Sequence, residues 1–155
     1  MTRAPFDLGQ FPALRHFKIE QRGRCSNFIR VLTCLLSIPS SPSGIEVLET
    51  RIAWDDVKVG HGKDLFSPDP GWSTLDGLFT SQTFVSLRQV VLFLDLHMAA
   101  GQPPHILELK RNLILPHVND LFPLFRASST QRTLEIHLKV DNDPPWGRSR
   151  QLSGV

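Results

Sequence analysis

The chain is 155 residues long, 41% hydrophobic and 21% charged, with a formal net charge of +2. That length suits one domain able to bury a real core. The near-neutral balance lacks the basic stripe that nucleic acid requires, and no apolar run reaches membrane-spanning length.

In chain order, the first element is a strand over Leu14 to Glu20. Phe17 and Ile19 point one way and His16, Lys18 and Glu20 the other, the alternation of a half-buried strand. Charges among the first twenty residues leave no secretory apolar segment. Gly23 ends the strand. Ser26 then caps a helix with Phe28, Ile29, Leu32, Leu35 and Leu36 on one face, stopped by Pro39 and the stretch Ser40–Gly44. Cys25 and Cys34 sit around this helix, and its rise would hold them about 13 Å apart, too far for a disulfide. Free thiols fit a reducing intracellular compartment, cytoplasmic or nuclear, and Cys34 reads as a small core residue.

The second strand runs from Ile45 to Trp54. Leu48, Thr50, Ile52 and Trp54 share one face, and Glu49 and Arg51 point away. A polar loop with Gly60, Gly62, Pro68 and Pro70 follows. Ser73 and Asp76 then match the S-x-x-D capping box, opening a short helix with Leu75, Leu78 and Phe79. Leu87 to Leu96 is the third strand, with Val90, Leu92 and Leu94 on one face. Val91 and Phe93 make its other face apolar too, which argues burial on both sides.

Ile106 to Leu115 fits two patterns: a helix through Ile106, Leu109 and Leu113, or a strand through Leu113 and Leu115. Asn119 caps a helix containing Leu121, Phe122, Leu124 and Phe125, with Pro123 tolerated in its first turn. The fourth strand is Arg132 to Val140. Residues 1–140 form the domain. Residues 141–155 turn to Asp, Pro, Gly, Ser and Arg and read as a disordered tail.

Four strands carry variants of one string, L-x-x-L-x-L. Leu14, Phe17 and Ile19 follow Phe11–Pro12–Ala13, and Leu87, Val90 and Leu92 follow Phe84–Val85–Ser86. Ile45, Leu48, Thr50 and Ile52 form a looser copy, as do Leu134, Ile136 and Leu138. Recurrence of this kind marks a stacked solenoid. The strands lie about thirty to forty-five residues apart, longer than the ~20–29 of standard leucine-rich repeats. The expected fold is therefore α/β: a short leucine-rich-repeat-like solenoid. Its curved, mainly parallel sheet would have about four strands, with helices on the convex side. The first copy begins without a capping segment, so the stack reads as incomplete.

The segments "DLGQFPALRHFKIE", "IEVLETRIAW" and "FVSLRQVVLFL", with the W-x-x-L-D-x-L of Trp72, Leu75, Asp76 and Leu78, resemble the irregular leucine-rich repeat region of fungal, mushroom-type F-box-like proteins. The resemblance covers about Phe6 to Val140 and implies a horseshoe-like stack that recognises proteins. In such families an F-box docks the adaptor of a cullin-type ubiquitin ligase and the repeats select a target. No F-box-like Leu-Pro-rich helix precedes the repeats here, so adaptor recruitment is not expected of this polypeptide, whereas target binding is.

Signals for chemistry are weak. Gly60–His61–Gly62–Lys63–Asp64 lacks the first glycine of a Walker loop and the hydroxyl residue after its lysine. His61, Asp64, Asp55 and Asp56 lack the paired spacing of a zinc site, so no metal or cofactor is expected. There is no G-x-S-x-G segment, and Cys25, though near Arg22 and Arg24, reads as an incidental thiol. Trp54 and Trp72 belong to apolar-periodic segments and read as core. The chain is read as non-enzymatic. A small α/β enzyme with an unrecognised site and a truncated fragment without independent function are the alternatives.

Residues alternating with the core leucines would face the concave side: His16, Lys18, Glu20, Glu49, Arg51, Gln89, Val91, Phe93, Asp95, Glu135, His137 and Lys139. They make a mixed-charge face with an apolar centre at Val91 and Phe93, the anatomy of a protein interface. The bland alternative is that Ile106–Leu115 covers that centre. The expected partner is a protein, not nucleic acid or membrane.

Overall fold

The computed structural model describes residues 7–23, 28–36, 42–57, 70–98, 101–128 and 131–142. The strands β1 (His16–Gly23), β2 (Val47–Val57), β3 (Gln89–Met98) and β4 (Thr133–Asn142) form one open sheet. Their order is β1-β2-β3-β4 and every pair is parallel. The helices are α1 (Phe28–Leu36), α2 (Pro70–Phe79), α3 (Pro104–Asn119) and α4 (Pro123–Ala127). The α/β class and the parallel pairing are as the sequence leads one to expect, because a parallel return needs a crossover connection.

The string repeats in space as well as in sequence. Phe17 pairs with Leu48, Leu48 with Val90 and Val90 with Leu134; one step on, Ile19, Thr50, Leu92 and Ile136 do the same. Each copy thus sends the same positions to one face, which period-two alternation requires of in-register strands. That face is the core. Leu48, Ile52, Trp54, Val90, Leu92, Leu94 and Leu96 share one buried cluster with Ile29, Leu32 and Leu36 of α1, with Trp72, Leu75 and Phe79 of α2, and with Ile114 and Val118 of α3. Thr50 is the polar member of its row, and its hydroxyl donates to the Ile19 carbonyl at 3.3 Å.

The turns before the strands repeat too. Leu14 N–H donates to the Phe11 carbonyl at 3.0 Å, and Leu87 N–H to the Phe84 carbonyl at 3.0 Å. Backbone bonds then join one turn to the next: Glu46 N–H to Arg15 O, Arg88 N–H to Glu46 O and Thr133 N–H to Arg88 O, each 2.8 Å. Gly44 lies tight against the first turn, where an added Cβ would fall 2.8 Å from the Pro12 carbonyl oxygen. Phe84 is fully buried beside the Phe79 ring, at 6.4 Å between centroids. Its counterpart Phe11, on the outermost turn, is 47% exposed.

The segment Ile106–Leu115, open between helix and strand in the sequence, is helical, inside α3. Three local expectations are corrected. Ser73 and Asp76 do not start a helix, since α2 begins at Pro70. Asp76 instead is buried and crosses to α4, accepting from Leu124 N–H at 2.9 Å and Phe125 N–H at 2.8 Å. Asn119 is the last residue of α3 rather than a cap, and α4 starts at Pro123 behind Phe122, whose φ of 57° is left-handed. Cys34 is exposed, because the buried face of α1 is Ile29, Leu32 and Leu36 and position 34 lies opposite. The fourth strand also runs on to Asn142, past the expected tail boundary. There the Asn142 amide brackets Gln102: Gln102 N–H donates to its Oδ1, and its Nδ2 donates to Gln102 O, both at 3.0 Å. The capping role of Ser26, the thiol Cys25, the Gly60–Asp64 loop and residues 143–155 lie outside the described residues.

Candidate recognition face

The second face of the sheet carries the residues that alternate with the core. Strand register lines them up in rows. Lys18, Glu49, Val91 and Glu135 form one row; Glu20, Arg51, Phe93 and His137 form the next. His16 and Gln89 lie in the row before, Asp95 and Lys139 in the row after. All twelve residues singled out from the sequence therefore share this face. Val47, Thr133, Ala53, His97 and Asp141 share it as well. Extending the same alternation by one step at each end would have found them.

Phe93 is not an open apolar centre. It is the middle layer of a stack, with the Arg51 guanidinium 4.7 Å from its ring centroid on one side. The His137 ring lies on the other side at 4.7 Å and 12°. Both contacts follow from register, since Arg51, Phe93 and His137 are direct neighbours across three strands. Such contacts stabilise by about 0.5–1.5 kcal/mol each and fix the ring plane. Val91 is 9% exposed, between Glu49 and Glu135 in its row. The helix containing Ile106–Leu115 does not cover this centre. It packs on the core side, through Ile114 and Val118 and through Arg111 Nε, 3.5 Å from the Leu138 carbonyl.

Ion pairs surround the stack. Lys18 reaches Glu49 at 3.1 Å and Glu20 at 3.2 Å, and His16 lies 3.4 Å from Glu49. Lys139 meets Asp141 at 2.9 Å, Arg51 lies 4.0 Å from Asp95, and Gln89 donates to Glu135 at 2.8 Å. The hydrogen bond from Lys18, above all, holds the Glu49 carboxyl below its ordinary range. The bond to Glu49, then that to Glu20, pushes the Lys18 ammonium above its own. Lys139 is raised by Asp141 in the same way. Lys18, Arg51, Glu49, Asp95, Lys139 and Asp141 therefore already have an opposite neighbour, which makes the face a patterned surface rather than a field of one sign.

At the strands' carboxyl end, the Nδ1 of His97 is buried and makes no hydrogen bond. Among the described residues no group of three or more His, Cys, Asp or Glu is placed to hold a metal ion. Among them, too, no helix is long and apolar enough to cross a membrane. Compared with known families, curated proteins and solved structures, the chain finds no match.

Proposed function

We propose that the chain is a non-catalytic recognition module, a short curved stack of irregular leucine-rich-type repeats that binds a protein on the open face of its sheet. The observation that carries this reading is the Arg51–Phe93–His137 stack. Its central ring is held by both neighbours before any partner arrives, so little ordering entropy remains to be lost on binding. Arginine and aromatic residues in an ordered cluster with a charged rim are the composition of interface hot spots.

The charges support a polypeptide partner over a phosphate backbone. Carboxylates Glu20, Glu49, Asp95, Glu135 and Asp141 are interleaved with Lys18, Arg51 and Lys139, whereas nucleic acid calls for a run of cations. Mixed signs set partner choice more than affinity. The in-register repeat of the L-x-x-L-x-L string supports the solenoid, and the resemblance to F-box-type repeat regions makes a ligase target the partner class to try first.

The test is Phe93→Asp, read by pull-down and by thermal unfolding together. Loss of a partner that the unaltered chain retains, with a single cooperative unfolding transition kept, supports the face as the site. Retained binding at unchanged strength refutes it. Leu113→Asp, on the helical side where Leu113 is 61% exposed, is the control that should bind normally.

A further inference from the structure

The sheet has two different edges, β1 and β4, and among the described residues neither pairs with a further strand. Edge strands are commonly blunted by charge. Here a charge on one edge complements a charge on the other. If the sheet's own register is continued beyond β4, the next strand in line is matched by β1 of another molecule. Glu135 then faces Lys18 and His137 faces Glu20. Within one molecule those same β1 residues already meet opposite charge on their other side, since Lys18 pairs with Glu49 at 3.1 Å and Glu20 faces Arg51 in register. The contact would thus give Glu135, whose described neighbours are Gln89 and His137, a cation at position 18 across the junction. One row is less favourable, because Lys139 would face position 22, an arginine, but Lys139 already carries Asp141 at 2.9 Å.

The core side of the two edges fits the same pairing. Phe17 and Ile19 on β1, and Leu134, Ile136 and Leu138 on β4, are only partly buried, although all pack against the core. Continued register sets Phe17 beside Leu134 and Ile19 beside Ile136.

We propose that the β4 edge of one molecule pairs with the β1 edge of a second copy, head to tail, in the register the sheet already uses. Such a contact joins two unlike surfaces, so it does not close on itself as a two-fold dimer and extends with concentration.

Sedimentation velocity across a concentration series tests it with Lys18→Glu and Glu135→Lys. Each variant alone sets like charges across the contact and should associate about tenfold more weakly than the unaltered chain. An equimolar mixture of the two restores opposite charge at every junction and should recover association. A chain that stays monomeric at every concentration overturns the proposal, as does a mixture no better than its components. Should either variant unfold, Lys18→Cys and Glu135→Cys in a Cys25→Ser/Cys34→Ser background replace it. Neighbouring strands lie about 4.8 Å apart, within disulfide reach. Cross-links between the two variants support the proposal. Links formed by Glu135→Cys with itself, or none at all, overturn it.

Discussion

Replacing Asp76 with alanine should cost about 3 kcal/mol, a large loss for a residue the sequence places at an ordinary helix start. Asp76 is 2% exposed and lies on the same face of α2 as Trp72 and Phe79. Its carboxylate receives two backbone N–H groups from the first turn of α4, at 2.9 Å from Leu124 and 2.8 Å from Phe125. The two bonds are unequal. The Leu124 side chain is exposed, so on truncation its N–H can turn to water at a cost of about 1 kcal/mol. Phe125 is fully buried, so its N–H is left without an acceptor, at about 2 kcal/mol. For a chain of this size the sum lowers the melting temperature by about 6–12 °C. Asp76→Asn keeps one acceptor and should lose about half as much. Urea titration measures both, with the slope unchanged if only the folded state is affected. An alanine variant within about 0.5 kcal/mol of the unaltered chain would show that these bonds do not hold α4 in place.

Two further outcomes follow from particular residues. Phe122 is buried with a left-handed backbone, its ring 5.4 Å from that of Phe79 and 5.7 Å from that of Trp72. Phe122→Ala should lose about 3–5 kcal/mol, and Phe122→Gly should be the milder change by about 1 kcal/mol because glycine accepts that conformation, reversing the usual order. A glycine variant less stable than the alanine one in urea would show that the backbone there is unstrained. For Glu49 the folded-state pKa lies below the unfolded one. Its contribution is therefore complete above the ordinary carboxylate range and is lost as pH falls through the lowered value. Glu49→Gln should be the less stable chain at neutral pH, converge with the unaltered chain in acid and so flatten that acid limb, and an unaltered acid limb would contradict the Lys18–Glu49 assignment.

The sheet was the legible part of this chain. In β2, Leu48, Thr50, Ile52 and Trp54 alternate with charged or small residues, and a period of two leaves one choice of inward face. The helices were harder. In α3 apolar residues occupy two stripes, with Ile114 and Val118 inward and Leu109 and Leu113 exposed, so no single period stands out. Asp76 was misread because S-x-x-D is a local pattern and its acceptor role is fulfilled 48 residues away. Phe122 gave no signal at all, since left-handed backbone is ordinarily marked by glycine or asparagine. On the open face the residues could be named from alternation. That Phe93 lies between Arg51 and His137 depends on register between strands far apart in sequence, which alternation within one strand does not contain.

The strand order β1-β2-β3-β4 has a consequence for how the molecule comes into being. Among the described residues, each strand after the first pairs with the one made just before it, and none is inserted between two that already exist. A chain emerging from the ribosome can therefore complete each pairing as soon as the new strand clears the exit, without waiting for later sequence or undoing an earlier contact. Growth of the sheet and growth of the polypeptide run in the same direction.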